Sequence, residues 1–171
     1  MASIKAPLSA SSLYQTLHAT AIELVKSQEQ TPERPERMDH ERIRAIRSEN
    51  RFEHTWGHNY LVSTRPHLSG THDVDGFIKH VGTMLPKLES WDTDIRDVVV
   101  DEFAKRAIVR ASYWMKPKGS EEPVENDIVW FLDMEEDGKR VKKSVEFVDA
   151  AATGRIMEIM MKQAGQVNGA K

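Results

Sequence analysis

Helices, then an antiparallel meander, then a closing helix: the residue pattern predicts an α+β fold, a curved sheet closed on one face by helices around an interior cavity. Apolar residues recur at three- and four-residue spacing in the N-terminal half and again after Asp149, which marks helices. From Asp94 to Val148 the spacing changes to two, which marks strands. Asp137-Gly138 lies between two alternating runs and supplies the positive φ of a tight hairpin.

The first helix is expected over residues 12–28, with Leu13, Leu17, Ala21, Leu24 and Val25 on one side. The stretch QTPERPE at 30–36 stops it, because each proline removes a donor and disfavours helix in its predecessor. Asp39 is a good N-cap for a second helix that carries Ile43, Ile46 and Arg47 and ends near Asn50. FEHTWGHNYLV at 52–62 reads as loop with a short extended piece. A third helix, capped by Thr71 or Asp75, carries Phe77, Ile78, Val81, Met84, Leu85 and Leu88 and ends or kinks at Pro86. Four strands follow, over residues 95–101, 106–116, 124–134 and 139–148, and the last helix spans 149–162.

Composition narrows the function. The 171 residues suit one domain with a real core. A net charge of −3 argues against nucleic-acid binding, and no apolar run reaches the roughly 20 residues of a membrane span. The N-terminus lacks the apolar segment of a signal peptide, so a cytoplasmic location is expected. Without cysteine, disulfides, zinc knuckles and thiol nucleophiles are excluded.

The most informative stretch is VENDIVWFL at 124–132. Strand alternation puts Asp127 on one face with Val129 and Phe131, and Asn126, Ile128, Trp130 and Leu132 on the other. An inward Asp127 would have a raised pKa and suit proton transfer; otherwise it bonds Arg110 and holds the sheet. His54 and His58 suit acid/base work, the alternative being one solvated histidine and one packed on Trp56. A metal site is not expected, since their spacing matches no ligand pattern. An inward Arg47 could hold an oxyanion through its fork of donors; otherwise it favours a helix C-terminus from the surface. Tyr113 could donate to a carbonyl or serve as a core aromatic, and His80 reads as a core or rim histidine that could reach substrate. Glu146, opposite in parity to Val145 and Phe147, reads as structural or exposed, and the methionines at 157–161 read as core or dimer packing.

Taken together, residues 43–149 resemble the NTF2-like fold, in particular its SnoaL-like branch from fungal secondary metabolism. The carrying residues are Arg47 and His54, FIKH at 77–80, ENDIVW at 125–130, Asp137-Gly138-Lys139 and EFVD at 146–149. Asp127 stands where many relatives carry glutamate, and the His54–His58 loop is denser in histidine than the family pattern. The resemblance implies a cone with a pocket, often dimeric, and cofactor-independent isomerases, cyclases or dehydratases of polyketides and terpenoids. Ketosteroid isomerase, similar in fold, works with pocket aspartates.

The expectation is an NTF2-like domain over residues 37–164, extended by a helix and linker at 1–36 and followed by a flexible tail at 165–171. The expected activity is acid/base isomerisation or cyclisation of a small apolar oxygenated substrate, without cofactor or metal and without nucleic-acid or membrane partners. Asp127, His54, His58 and Arg47 are the expected catalytic groups, with Tyr113, Trp56, His80 and Phe131 contacting substrate. Ile128, Trp130 and Leu132 cannot all face water, so helices should cover one sheet face and a second copy of the chain the outer one. A dehydratase of the scytalone-dehydratase type, or a non-catalytic binding module, would use the same scaffold.

Overall fold

The alternating runs form one five-stranded sheet in a computed structural model that describes residues 4–168. The strands are β1 (Glu53–Trp56), β2 (Leu88–Asp101), β3 (Arg106–Pro117), β4 (Val124–Met134) and β5 (Val141–Phe147), in the order β1-β5-β4-β3-β2. β1 runs parallel to β5 and every other pairing is antiparallel. The helices are α1 (Ser12–Lys26), α2 (His40–Ala45), α3 (Asn59–Thr64), α4 (Val74–Met84) and α5 (Ala150–Asn168).

Local chemistry accounts for most of these limits. Ser11 caps α1 by accepting from the Tyr14 amide at 2.9 Å, and Leu17, Ala21, Leu24 and Val25 are fully buried. Asp39 caps α2 as expected, but that helix ends at Ala45. Its chain then turns to pair beside Val141, so Arg47 lies beyond the helix. The cap of α4 is Asp73, which accepts from the Gly76 amide at 2.8 Å; neither Thr71 nor Asp75 serves. Pro86 ends α4 in a single 3-10 turn, and Leu88 starts β2 instead of continuing the helix. β2 is longer than its pattern suggests because two bulges interrupt its period: Leu88, Trp91 and Ile95 all face the core. The segment expected as loop with a short extended piece supplies that piece as β1 and adds the short α3, which was not expected. Asp149 caps α5, which continues as helix through Asn168, so the tail expected from 165 is helical that far; residues 169–171 lie outside the described ones.

The inner sheet face is the one carrying Asn126, Ile128, Trp130, Leu132 and Met134, all buried. Helices α1, α4 and α5 cover it and leave a cavity between them. The N-terminal extension is fastened by Arg37, which adopts φ 56°. Its guanidinium donates to the carbonyls of Leu85 (3.1 Å), Leu88 (2.9 Å) and Glu89 (3.0 Å) and to the Gln30 side chain (3.1 Å). Replacing it leaves those acceptors without a charged donor. Arg37→Leu is expected to lower unfolding free energy by about 2 kcal/mol, read as an earlier midpoint in urea denaturation with unchanged slope.

Candidate active site

The sheet register decides which acid meets the cavity. In the β4–β5 hairpin, Glu135 pairs with Arg140 and Met134 with Val141, a regular ladder that would bring Val145 opposite Trp130. The next pair is Asp133 with Lys143: one extra residue, Lys142, bulges out. Every later residue of β5 is thereby flipped to the other face. Glu146 lies opposite Trp130, with Trp56 of β1 on its other side, and Val145 and Phe147 turn outward. The reading of Glu146 as structural or exposed is therefore corrected: it is 8% exposed and lines the cavity.

This cavity measures about 350 Å³. Phe77, Val81 and Met84 of α4, Met115 and Ile128 of the sheet, and Ile156, Met157 and Met160 of α5 form its apolar wall. Met157 and Met160 thus line a ligand-sized space and are not only packing residues. Polar groups converge from several elements: Glu146, Trp56, His80 and Tyr113, with Gln28, Trp91, Asn126 and Thr153, none of which the sequence singled out. Asn126 also holds the start of α5 in place, donating to Thr153 (3.3 Å) and accepting from the Asp149 amide (3.1 Å).

Burial raises the Glu146 pKa to about 8, against smaller opposing effects of the Trp56 indole and the Arg47 guanidinium. His54 is completely buried on β1. Its Nε2 lies 3.7 Å from the Glu146 carboxylate and its Nδ1 2.9 Å from the Ser144 hydroxyl. Burial first, then the charge of Arg47, keeps His54 neutral far below its usual range. Nδ1 shares a hydrogen bond with the Ser144 hydroxyl, and Nε2, without a hydrogen-bond partner among the described residues, faces the Glu146 carboxylate. Trp56 packs edge-on to His54 at 4.3 Å and against His80 at 4.5 Å. Burial and the nearby His67 and His72 pull His80 down to about 4. Tyr113 is 2% exposed, its hydroxyl lies beside the Trp130 indole without a well-formed hydrogen bond among the described residues, and burial holds its pKa well above the usual value. Arg47 is fully buried beside this group, within electrostatic reach of Tyr113 and Glu146, but does not line the cavity.

The structure thus brings together His54, Arg47, Tyr113, Trp56 and His80, and separates three other expected residues from them. Asp127 is on the outer face, its side chain 37% exposed, in a bidentate pair with Arg110 at 2.6 and 3.0 Å. That hydrogen-bonded pair holds its carboxyl below the usual range, and it lies outside the cavity instead of facing into it as expected. His58 is exposed at φ 58° and touches the outer ring of Phe147. Phe131 is 45% exposed on the same outer face. Among the described residues, no group of three or more His, Asp or Glu is placed to hold a metal ion, and no helix is long and apolar enough to cross a membrane.

The raised carboxyl makes stability depend on pH. The folded protein holds its Glu146 proton up to about 8, whereas the unfolded chain releases it near 4.5. The stabilisation is therefore fully present below the unfolded value and is lost as pH rises through the folded one, on the order of 5 kcal/mol in all. Glu146→Gln removes the ionisation. Its melting temperature is expected to match the parent near pH 5 and to exceed it at pH 9, as thermal denaturation across that range would show.

No protein-family model and no curated protein matches the sequence. Solved structures do match the fold. PrhC from Penicillium brasilianum superposes with a TM-score of 0.71 at 21% identity, over 90% of this chain and 93% of its own. The BvnE pinacolase from Penicillium brevicompactum gives 0.70 at 13% identity, over 92% and 97%. An NTF2-like protein from Burkholderia pseudomallei gives 0.62 at 15% identity, over 82% and 96%. The open five-stranded sheet, with helices over one face and a cavity between them, is accordingly an NTF2-like fold.

Proposed function

We propose that this chain is an acid/base enzyme of natural-product biosynthesis that isomerises or cyclises an apolar, oxygenated polyketide or terpenoid intermediate. The observation that carries this reading is a carboxyl at the cavity wall whose ionisation falls near neutral pH. Such a group can both take and return a proton under working conditions. In its ionised form Glu146 removes a proton α to a substrate carbonyl, the electron pair moving onto oxygen to form an enolate. The new carboxylic acid then returns the proton at another carbon; alternatively the enolate carbon attacks a second carbonyl carbon to close a ring, its C=O π bond breaks, and the carboxylic acid gives its proton to the resulting alkoxide. His54 orients the carboxyl, and Tyr113 is the donor available to the developing oxyanion. Loss of a β-hydroxyl as water would use the same proton delivery. The likeness of fold to two Penicillium proteins, one of them a pinacolase, supports the class of pathway.

Deuterium exchange α to the carbonyl of a cyclic β,γ-unsaturated ketone, followed by NMR, tests the chemistry without the natural substrate. Exchange should rise with pH through about 8, where Glu146 ionises, and fall about 100-fold in Glu146→Gln. Exchange that survives the substitution would refute the role and leave a binding module.

We further propose that a second copy covers the outer sheet face. Val99, Ile108 and Phe131 are 54%, 36% and 45% exposed there, around a groove that also contains Val145 and Phe147. The groove is flanked by the Arg106–Asp133 pair, which presents both charges to a symmetry mate. Light scattering should give a dimer at micromolar concentration and a monomer for Phe131→Glu; a monomeric parent would overturn this.

A further inference from the structure

We propose that the substrate ends in an anionic group, a carboxylate or a phosphate, which Lys87 and Arg65 hold at the mouth of the cavity while the apolar remainder fills the interior. This rests on the cavity as the substrate site, and not on proton transfer by Glu146.

Exposure locates the mouth. Of the residues that line the cavity, His67, Thr83 and Lys87 are the exposed ones. The cavity therefore opens between the 3-10 turn Pro66–Leu68, the end of α4 and the 3-10 turn Leu85–Lys87. Lys87 stands on a fixed support. The Arg37 guanidinium donates to the carbonyls of Leu85 and Leu88 around it, and the Lys87 carbonyl accepts from the Lys118 amide at 3.0 Å. Arg65 ends α3, directly before the other turn, and its Nη1 lies 3.3 Å from the sulfur of Met157 in the cavity wall. His67, two residues on, stacks on His80 of α4 at 5.9 Å, which ties that turn to the rim.

Neither cation has an ion-pair partner among the described residues, and the acids on the bordering helices are already matched. Residues 59–68 contain no acid. Asp75 of α4 pairs with Arg44, and Glu158 of α5 with Arg155 and Lys162. Glu89, at the start of β2, pairs with Lys116. The interior offers an anion nothing comparable: its wall is largely apolar and its one carboxyl, Glu146, is buried. An anionic group drawn inside would lose water without meeting a cation on the lining. At the mouth it stays hydrated and meets two. The apolar skeleton then points inward, where burial favours it.

Trp56 and Trp91 line the cavity, so their emission reports its filling. Titration at low salt compares three guests with one skeleton: decanoate, monodecyl phosphate and decan-1-ol. At least one anion should bind about fivefold more tightly than the alcohol, an advantage that high salt removes. Lys87→Met and Arg65→Met should each weaken that anion and leave the alcohol unchanged, while Lys87→Arg should retain it. A carboxylate preferred over the phosphate supports a free acid as substrate, and the reverse supports a phosphate-bearing one. An alcohol that binds as tightly as both anions, substitutions that affect all three guests alike, or emission that none of them changes would overturn the proposal. Glu146→Gln should keep the anion preference. Deuterium exchange that survives Glu146→Gln, with the preference intact, would count against the proton chemistry alone; a lost preference with Glu146-dependent exchange would count against this assignment alone.

Discussion

The organising interaction is a carboxyl withdrawn from water without a direct ion-pair partner. Glu146 is set between two tryptophans, with a neutral histidine 3.7 Å away and a buried guanidinium beyond contact distance. Burial disfavours its charged form, and the smaller opposing influence of the guanidinium does not offset that. Each neighbouring element serves it: β1 brings Trp56 and His54, β3 brings Tyr113, the segment after α2 brings Arg47, and α4 and α5 exclude water from the other side.

Much of the scaffold was legible in the sequence, because periodicity and turn chemistry are local properties. The first helix, the β3 and β4 strands and the Asp137-Gly138 hairpin follow from spacing and from glycine's tolerance of positive φ, seen at Gly138 as 73°. The site was legible only in part. Tyr113, Trp56 and His80, which stand beside strong apolar patterns, do line the cavity. The acid was missed because its face depends on one unpaired residue in β5. Alternation there reads Val145 and Phe147 as inward, and only the pairing with β4 shows that Lys142 bulges and reverses the faces. The same ambiguity affected β4. Both its faces carry apolar residues, so hydrophobicity alone could not say that Asp127 and Phe131 lie outside.

The outer face is therefore not a featureless back. Its salt-bridged pairs, Arg110 with Asp127 and Arg106 with Asp133, hold adjacent strands together, while aromatic and β-branched side chains between them remain open to solvent. The two faces differ: the outer one carries ion pairs matched in water, the inner one a buried carboxyl and a buried guanidinium.

The side of the chamber opposite the sheet is built in part from thioethers. Met157 and Met160 face it from α5, with Met84 across from them. Unbranched, polarisable side chains change rotamer at little energetic cost and remould around differently shaped guests. The acid is anchored in the sheet, whereas this soft boundary belongs to a helix that follows it by only a few residues and is held through Asn126. The polar groups of the chamber and its thioether wall are thus carried by separate parts of the chain. Substitutions in the helix would reshape that wall and leave the sheet residues where they are.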